Sequence, residues 1–170
     1  MSLDRLSEKI AQRDEKAFAE LYEKTKTLVY SVCLSIVRNH GVAEELTQET
    51  FVTVWLKISS FQGKGFKTWV LTIAKNKSLN ELRDRKREFA VDFSGNNTLG
   101  EVYEPNVELG VAVSMALEKL GETDRQIVLL KNSGMKTKEI AEFLKIPRGT
   151  VSWRYSESLK TLKKHLEAEE

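Results

Sequence analysis

Six side chains between positions 69 and 87 are of types that bind nucleic acid, and their spacing places them on one stripe. At 100° per residue along a helix, all six fall within a sector of about 80°. Amides can hydrogen-bond to base edges, guanidinium groups can neutralise phosphate, and an indole ring can support an unstacked base. We interpret the stripe as a nucleic-acid-binding surface, formed by Trp69, Thr72, Asn76, Asn80, Arg83 and Arg87.

The alternative is a charged helix face that contacts only water, which is the usual role of clustered charges. It would account for the neighbouring basic residues Lys75, Lys77, Arg85 and Lys86. It does not account for a tryptophan and two asparagines on the same stripe, so we favour nucleic acid. The aliphatic residues of this predicted helix, which spans 67–87, cluster on a different face.

A second DNA-binding pattern lies between positions 137 and 166. Ile140, Ala141 and Leu144 fall on one face of a short predicted helix, and a polar break follows at 145–147. Two helices joined by a tight turn are typical of a helix-turn-helix, whose second helix enters the DNA major groove. An ordinary helical hairpin is the alternative. The apolar side of the second helix is predicted to carry Val151, Tyr155, Leu159, Leu162 and Leu166.

A third cluster is acidic and lies at the start of a helix predicted over 43–58. Negative side chains there are favoured by the positive end of the helix dipole, so simple helix stabilisation is one interpretation. A docking face for a basic protein partner is the other, and the pattern alone does not separate the two. The cluster consists of Glu44, Glu45, Gln48 and Glu49.

The composition predicts that helices position all three clusters. The 170 residues include only two prolines and nine glycines, which favours an all-α fold. An amphipathic pattern runs from Ala17 to Ile36, breaks at 39–41, resumes over 43–58, and gives way to a loop at 61–65. Breakers concentrate over 89–110, which indicates a linker.

We therefore expect two small helical domains, 1–88 and 111–170, joined by a linker over 89–110. The net charge is +4 in the first segment, −4 in the linker and +2 in the last segment. Two positive ends around a negative middle are a common pattern for two nucleic-acid-facing modules.

Several functional classes are disfavoured. No apolar run approaches the roughly 20 residues that cross a membrane, and no signal peptide is visible, so we expect a cytoplasmic protein without membrane insertion. The single cysteine, Cys33, lies in an apolar stretch and is expected to be buried, with a reactive thiol as the alternative. The sequence has no phosphate loop, metal-spaced Cys/His cluster or nucleophile motif, so we expect no catalytic residue, no metal and no cofactor.

Residues 43–55 resemble the second conserved region of bacterial RNA polymerase sigma factors. Residues 61–63, 66–69 and 73–76 continue the resemblance into the promoter-melting segment. Residues 139–141, 146–147 and 149–151 resemble the fourth region. Because it has only these two regions, the chain is similar to the extracytoplasmic-function (ECF, group IV) subfamily, and the resemblance covers roughly 15–88 and 111–166.

The resemblance implies three binding roles. The 43–58 helix would dock on core RNA polymerase through Glu45, Gln48, Glu49 and Thr53. Minus-10 DNA would be melted and captured by Phe61, Gln62, Gly63, Lys64, Trp69, Thr72, Asn76, Asn80, Arg83 and Arg87. The minus-35 duplex would be bound by Arg148, Thr150, Ser152, Trp153, Arg154, Ser156, Glu157 and Lys160.

The resemblance also implies partners and shows departures. The partners would be core RNA polymerase, promoter DNA and an anti-sigma factor, and the acidic linker would thread towards the polymerase active centre. Val42 stands where the family often has an acidic helix cap, and Lys145 stands where it often has a glycine in the turn. Glu157 could accept a hydrogen bond from cytosine but also repels phosphate.

The rival function is a conventional helix-turn-helix regulator that binds duplex operator DNA without being a polymerase subunit. It explains residues 121–166 but gives the stripe between Trp69 and Arg87 no role. Such regulators usually bind duplex half-sites as dimers.

Overall fold

The computed structural model describes residues 1–91 and 110–168. This part of the chain is folded into α-helices, together with a 3₁₀ turn over Ile58–Ser60, and the prediction of an all-α fold is confirmed. The helices are α1 (Leu3–Ala11), α2 (Glu15–Val37), α3 (His40–Lys57), α4 (Phe66–Val91), α5 (Val111–Glu118), α6 (Glu122–Asn132), α7 (Thr137–Leu144) and α8 (Arg148–Ala168).

Helix α2 is the centre of the fold. It packs against α1, α3 and α4 on the amino-terminal side and against α6 on the carboxyl-terminal side. Residues 31–37 are all buried, as expected for a helix covered all round. Cys33 lies here and is 0% exposed, which confirms its predicted burial. Burial also raises the pKa of its thiol, against the effect of hydrogen bonds with Ser78 and Thr47.

The boundary between α2 and α3 is fixed by local capping. Arg38 ends α2 in the left-handed conformation with φ of 57°. Asn39 then caps α3 by accepting a hydrogen bond from the backbone of Val42 at 2.9 Å. Val42 has no side-chain acceptor that could cap a helix, and Asn39 caps α3 instead. As a result, α3 begins at His40 rather than at the predicted position 43.

Two features of the amino-terminal half differ from the sequence prediction. Helix α1 was not predicted, yet Leu6 and Ile10 are both 0% exposed. Helix α4 continues to Val91, so the first three residues of the predicted 89–110 linker are helical. The rest of that linker, except Gly110, lies outside the described residues.

The carboxyl-terminal half contains the predicted helix-turn-helix, α7 and α8. Lys145, at the position where a glycine was expected, ends α7 with φ of 58°. Val151 is buried, but the prediction that Leu159 faces inward is wrong, because Leu159 is 43% exposed and Ser158 is 2% exposed. The inward side of α8 is therefore centred on Val151, Ser158 and Leu162, at spacings of seven and four residues.

Candidate nucleic-acid interface

Three aromatic rings form the foundation of the first candidate surface. Phe66 is fully buried, and its ring centroid lies 5.1 Å from that of Phe61 and 5.7 Å from that of Trp69. Phe61 and Trp69 also contact each other, at 5.4 Å between centroids, and both remain partly exposed. Because the buried ring packs against the other two, contacts within the protein hold an aromatic wall at the surface.

The loop before α4 is held in a defined shape. Gly63 and Gly65 have φ of 97° and 85°, a left-handed region that side chains with a Cβ rarely adopt. The backbone N–H of Phe66 donates a hydrogen bond of 2.8 Å to the carboxylate of Asp4, which fixes the start of α4. Sequence reasoning missed Asp4, because it lies 62 residues away in a helix that was not predicted.

The loop and the first turns of α4 enclose an open pocket of about 620 Å³. The aromatic wall forms one side, and hydroxyl, amide and ammonium groups form the rest. Such a mixture suits a nucleobase, which has a flat π-face and a hydrogen-bonding edge. The lining residues are Ser60, Phe61, Gln62, Lys64, Gly65, Thr68, Trp69 and Thr72.

The predicted stripe continues from this pocket along α4. Asn76, Asn80, Arg83 and Arg87 are all exposed, at the helical spacing that places them on one side. We refer to the ten predicted residues of loop and helix, Phe61 to Lys64 together with Trp69, Thr72, Asn76, Asn80, Arg83 and Arg87, as the α4 surface. Phe61, Gln62, Lys64, Trp69 and Thr72 line the pocket together, and the remaining four helix residues follow on the same side of α4.

The four predicted polymerase-binding residues also lie together, on α3. Glu45, Gln48, Glu49 and Thr53 line a second open pocket, of about 440 Å³, with Val52 and Lys77. We call this group the α3 surface. Val52 is 58% exposed, and Leu56, one turn further on, is 65% exposed. Sequence reasoning missed this apolar part, although the i, i+4 spacing of Val52 and Leu56 was visible.

The outward side of α8 carries most of the predicted minus-35 residues. Trp153 is 65% exposed. Glu157 forms an ion pair with Lys160 at 3.1 Å, which offsets its negative charge. The exposed predicted residues, which we call the α8 surface, are Arg148, Ser152, Trp153, Ser156, Glu157 and Lys160.

Two of the residues that were predicted to bind the minus-35 element are less exposed than the α8 surface. Arg154 is half-buried and donates a hydrogen bond of 2.9 Å to Asp124 of α6. Thr150 is also half-buried, on the turn where α8 begins. Both residues lie nearer to the inward side of α8, and Arg154, whose side chain is 40% exposed, joins α8 to α6. Their contact with minus-35 DNA stays a prediction.

The described ranges, 1–91 and 110–168, contain no group of three or more His, Cys, Asp or Glu residues placed to hold a metal ion. Among the helices in these ranges, none is long and apolar enough to cross a membrane.

An all-helical chain with a helix-turn-helix and an aromatic, basic helix surface has the construction of a DNA-binding protein. Comparison with known families narrows this class. The family described as Sigma-70 region 2 matches residues 21–88, and the family described as Sigma-70, region 4 matches residues 110–162.

Whole-length relatives agree with the family matches. The ECF RNA polymerase sigma factor SigW of Bacillus subtilis is 27% identical, over 98% of this chain and 97% of that protein. The ECF RNA polymerase sigma factor SigK of Mycobacterium tuberculosis is 29% identical, over 97% of this chain and 94% of that protein. The chain therefore belongs to the RNA polymerase sigma factors of the extracytoplasmic-function group.

Two solved structures share the fold. The sigma factor RpoE in complex with the anti-sigma factor NepR, from Bartonella quintana, superposes with a TM-score of 0.70 at 24% identity, covering 91% of this chain and 99% of that chain. CnrH in complex with the cytosolic domain of CnrY superposes with a TM-score of 0.71 at 22% identity, covering 99% and 100%.

Proposed function

We propose that this sigma factor directs RNA polymerase to promoters by capturing the minus-10 element on the α4 surface and holding the minus-35 duplex on the α8 surface. As an ECF sigma factor, the chain acts with core polymerase in promoter-directed transcription initiation. The assignment of the two elements to two different surfaces rests on the structure of the α4 surface. An aromatic pocket that continues into an exposed row of amide and guanidinium groups suits a strand whose bases have left the duplex.

The energetics favour capture by a pocket that exists in advance. Removing a base from the stack costs about a few kcal/mol. Stacking on an aromatic side chain contributes about 1–3 kcal/mol per base. This contribution offsets the cost of unstacking only if binding does not also have to order the protein. Phe66 and the Asp4 cap favour such order, because they hold Trp69 and the loop in place through contacts within the protein.

The α8 surface would enter the major groove of the minus-35 element. Arg148 and Lys160 lie at opposite ends of this surface and could contact phosphates, while Trp153, Ser156 and Glu157 lie between them, where base edges would be. Phosphate contacts fix the register of the helix, and base contacts determine which sequence is preferred.

Polymerase binding is assigned to the α3 surface. Its carboxylates would face a basic partner surface, and the exposed apolar side chains of Val52 and Leu56 would supply the desolvated part of the contact. The assigned domains are 1–88 for polymerase docking and minus-10 binding, 89–110 as linker, and 111–170 for minus-35 binding.

We further propose an anti-sigma factor as a partner. The solved structures of RpoE and CnrH are each complexes, RpoE with the anti-sigma factor NepR and CnrH with the cytosolic domain of CnrY. Because this chain shares their fold, a dedicated inhibitor could bind it in a similar manner. The proposed location is the cytoplasm, where bacterial polymerase works, and the chain itself is proposed to carry no catalytic activity.

Run-off transcription tests this function against the operator-binding regulator. Purified core polymerase and a pool of random promoter sequences are incubated with and without the chain. We expect transcripts that depend on the chain and that share two sequence boxes. Tight binding of the isolated chain to duplex DNA, without any stimulation of transcription, would contradict the proposal and favour a conventional regulator.

A further inference from the structure

Two side chains occupy the middle of the outward side of α8. The inward side of this helix carries Val151, Ser158 and Leu162. At 100° per residue, Trp153 lies within about 20° of the direction opposite to these three, and Glu157 follows on the same side one turn later. They are the sixth and tenth residues of α8. Both therefore lie in the part of the helix that would face the floor of the major groove.

Trp153 differs from the other two tryptophans of the chain. Trp55 packs against the ring of Phe18, with centroids 5.1 Å apart, and Trp69 packs against Phe66 at 5.7 Å. Trp153 is instead 65% exposed. A large apolar ring in the middle of a DNA-facing side gains free energy from any apolar partner that removes it from water.

The major groove offers one kind of apolar partner to such a ring. Thymine displays a methyl group there, at C5, whereas the other groups that identify the bases are hydrogen-bond donors and acceptors. The indole has a wide apolar face and only one hydrogen-bond donor. Trp153 therefore suits a thymine methyl group better than the paired acceptors of guanine.

Glu157 carries a second and different base preference. An ionised carboxylate only accepts hydrogen bonds. Cytosine presents the N4 donor in the major groove, whereas adenine presents its N6 donor next to the N7 acceptor, which repels a carboxylate. The Oε1 atom of Glu157 pairs with Nζ of Lys160 at 3.1 Å, which offsets repulsion from phosphate and leaves Oε2 to face the base. Glu157 therefore suits cytosine.

The spacing of the two side chains fits neighbouring base pairs. Four residues of an α-helix span about 6 Å, and base pairs stack at about 3.4 Å. The bases that face Trp153 and Glu157 are thus about one or two pairs apart. Ser152 and Ser156 lie beside them and are exposed. Their short side chains leave room for the ring and the carboxylate to reach the groove floor.

We propose that Trp153 and Glu157 determine which minus-35 sequence this sigma factor prefers. Trp153 packs against a thymine methyl group, and Glu157 accepts a hydrogen bond from N4 of a cytosine about one or two base pairs away. This inference rests on the proposed function, and it adds the two bases and the atoms by which each is recognised.

Removal of single methyl groups from the DNA tests the first contact without altering the protein. Promoters are selected from a random pool with holoenzyme, formed from core polymerase and the full-length chain. Each thymine of the selected minus-35 element is then replaced by deoxyuridine, which lacks only the C5 methyl group. We expect at least one replacement to lower run-off transcription at limiting holoenzyme about fourfold, the loss expected for one buried methyl group.

Trp153→Ala completes a double-mutant cycle with this DNA. The variant should transcribe the thymine promoter less well than the unaltered chain does, and deoxyuridine should cause no further loss. Leu159→Ala is the matched control, because Leu159 is another exposed apolar residue of α8 but lies about 120° around the helix. The control should keep the full response to deoxyuridine. An equal response in Trp153→Ala and the unaltered chain would overturn the thymine contact.

A change of base preference tests the second contact. Glutamine can bond to both N6 and N7 of adenine. Glu157→Gln should therefore change the preferred base at one position from cytosine to adenine, with a shift of at least about tenfold in the ratio of transcripts from the two promoters.

Glu167→Gln is the matched control for this change. It makes the same substitution on the same helix, at a carboxylate that also pairs with a lysine, Lys163, at 3.9 Å. The control should keep the preference for cytosine. An unchanged preference in Glu157→Gln would overturn the cytosine contact.

The outcomes separate this inference from the function on which it rests. If the unaltered chain directs transcription from no promoter, the proposed function fails and the base contacts fail with it. If the chain directs transcription but Trp153→Ala and Glu157→Gln lower it equally on every minus-35 sequence, only the base contacts are overturned. That result would indicate that this side of α8 contacts a protein.

Discussion

The α4 and α8 surfaces both face solvent, but they are constructed differently. The α4 surface rests on the buried ring of Phe66, on two left-handed glycines and on a carboxylate cap from Asp4. The α8 surface is one side of a regular helix, fixed from behind by Val151 and Arg154. This difference indicates that capture of an unstacked base needs a shaped pocket. Recognition of a duplex needs only a helix that is correctly oriented, on which the outward side chains can vary.

The largest expected effect comes from removing the exposed part of the aromatic wall. Trp69→Ala should lower run-off transcription about tenfold, because a stacking contact worth about 1–3 kcal/mol is lost. Binding to core polymerase, measured by pull-down, should be unchanged. Trp153→Ala on α8 is the matched control and should lower transcription less, with losses that depend on the minus-35 sequence. Equal losses from the two tryptophans on every promoter would remove the distinction between the surfaces.

A smaller effect is expected from a substitution in the α3 surface. Because this surface is proposed to bind polymerase, the substitution should affect the function of both DNA surfaces equally. Glu49→Lys reverses a charge in the proposed docking pocket and should weaken core-polymerase binding about fivefold, which corresponds to about 1 kcal/mol. The loss should be the same for every promoter and should shrink at high salt. Glu44→Lys, on the same helix but outside the pocket, is the control. Unchanged binding of Glu49→Lys at moderate salt would contradict the assignment.

A third prediction compares two glycines, one beside each DNA surface. Gly65→Ala places a Cβ at φ of 85° and should cost about 1–2 kcal/mol of unfolding free energy, together with weaker minus-10 capture. Gly149→Ala lies in the first turn of α8 with open space around the new Cβ, and should be neutral or stabilising by up to about 1 kcal/mol. Urea unfolding measures the change in the free energy of unfolding for both variants. Equal destabilisation by the two changes would show that the loop is not specially shaped.

The smallest effect concerns the turn that directs α8. Lys145 has φ of 58°, a conformation that glycine adopts at no steric cost. Lys145→Gly should therefore raise the melting temperature by about 2–4 °C and leave promoter preference unchanged. Lys136→Gly is the control, since Lys136 is extended with φ of −74° and gains nothing from glycine. A lower melting temperature for Lys145→Gly would show that the lysine side chain stabilises the turn.

Helix faces were predictable because periodicity reports them directly. The stripe from Trp69 to Arg87 is exposed on one side of α4 as its spacing indicated, and Cys33 is buried as its apolar surroundings indicated. Contacts between distant parts of the chain were not predictable in this way. The Asp4 cap on Phe66 and the bond from Arg125 to Ser35 join residues 62 and 90 positions apart, and no local pattern records such pairs.

Residue type alone does not reveal every role of a side chain. Arg154 was predicted to contact DNA, which stays a prediction, and its hydrogen bond to Asp124 shows that it also joins α8 to α6. Leu159 was placed in the core because it is apolar, while the small Ser158 occupies the buried position instead. In both cases the packing of α8 against α6 determines which side of α8 is covered, and that packing depends on more than the sequence of α8 alone.

The central claim is that the α4 surface opens and holds the minus-10 element. Permanganate reactivity of promoter thymines, measured with core polymerase, tests it most directly, because only unstacked thymines react. We predict reactive thymines in the minus-10 element when the chain is present, and their loss with Trp69→Ala while polymerase binding persists. Thymines that react equally without the chain, or equally with Trp69→Ala, would contradict the account.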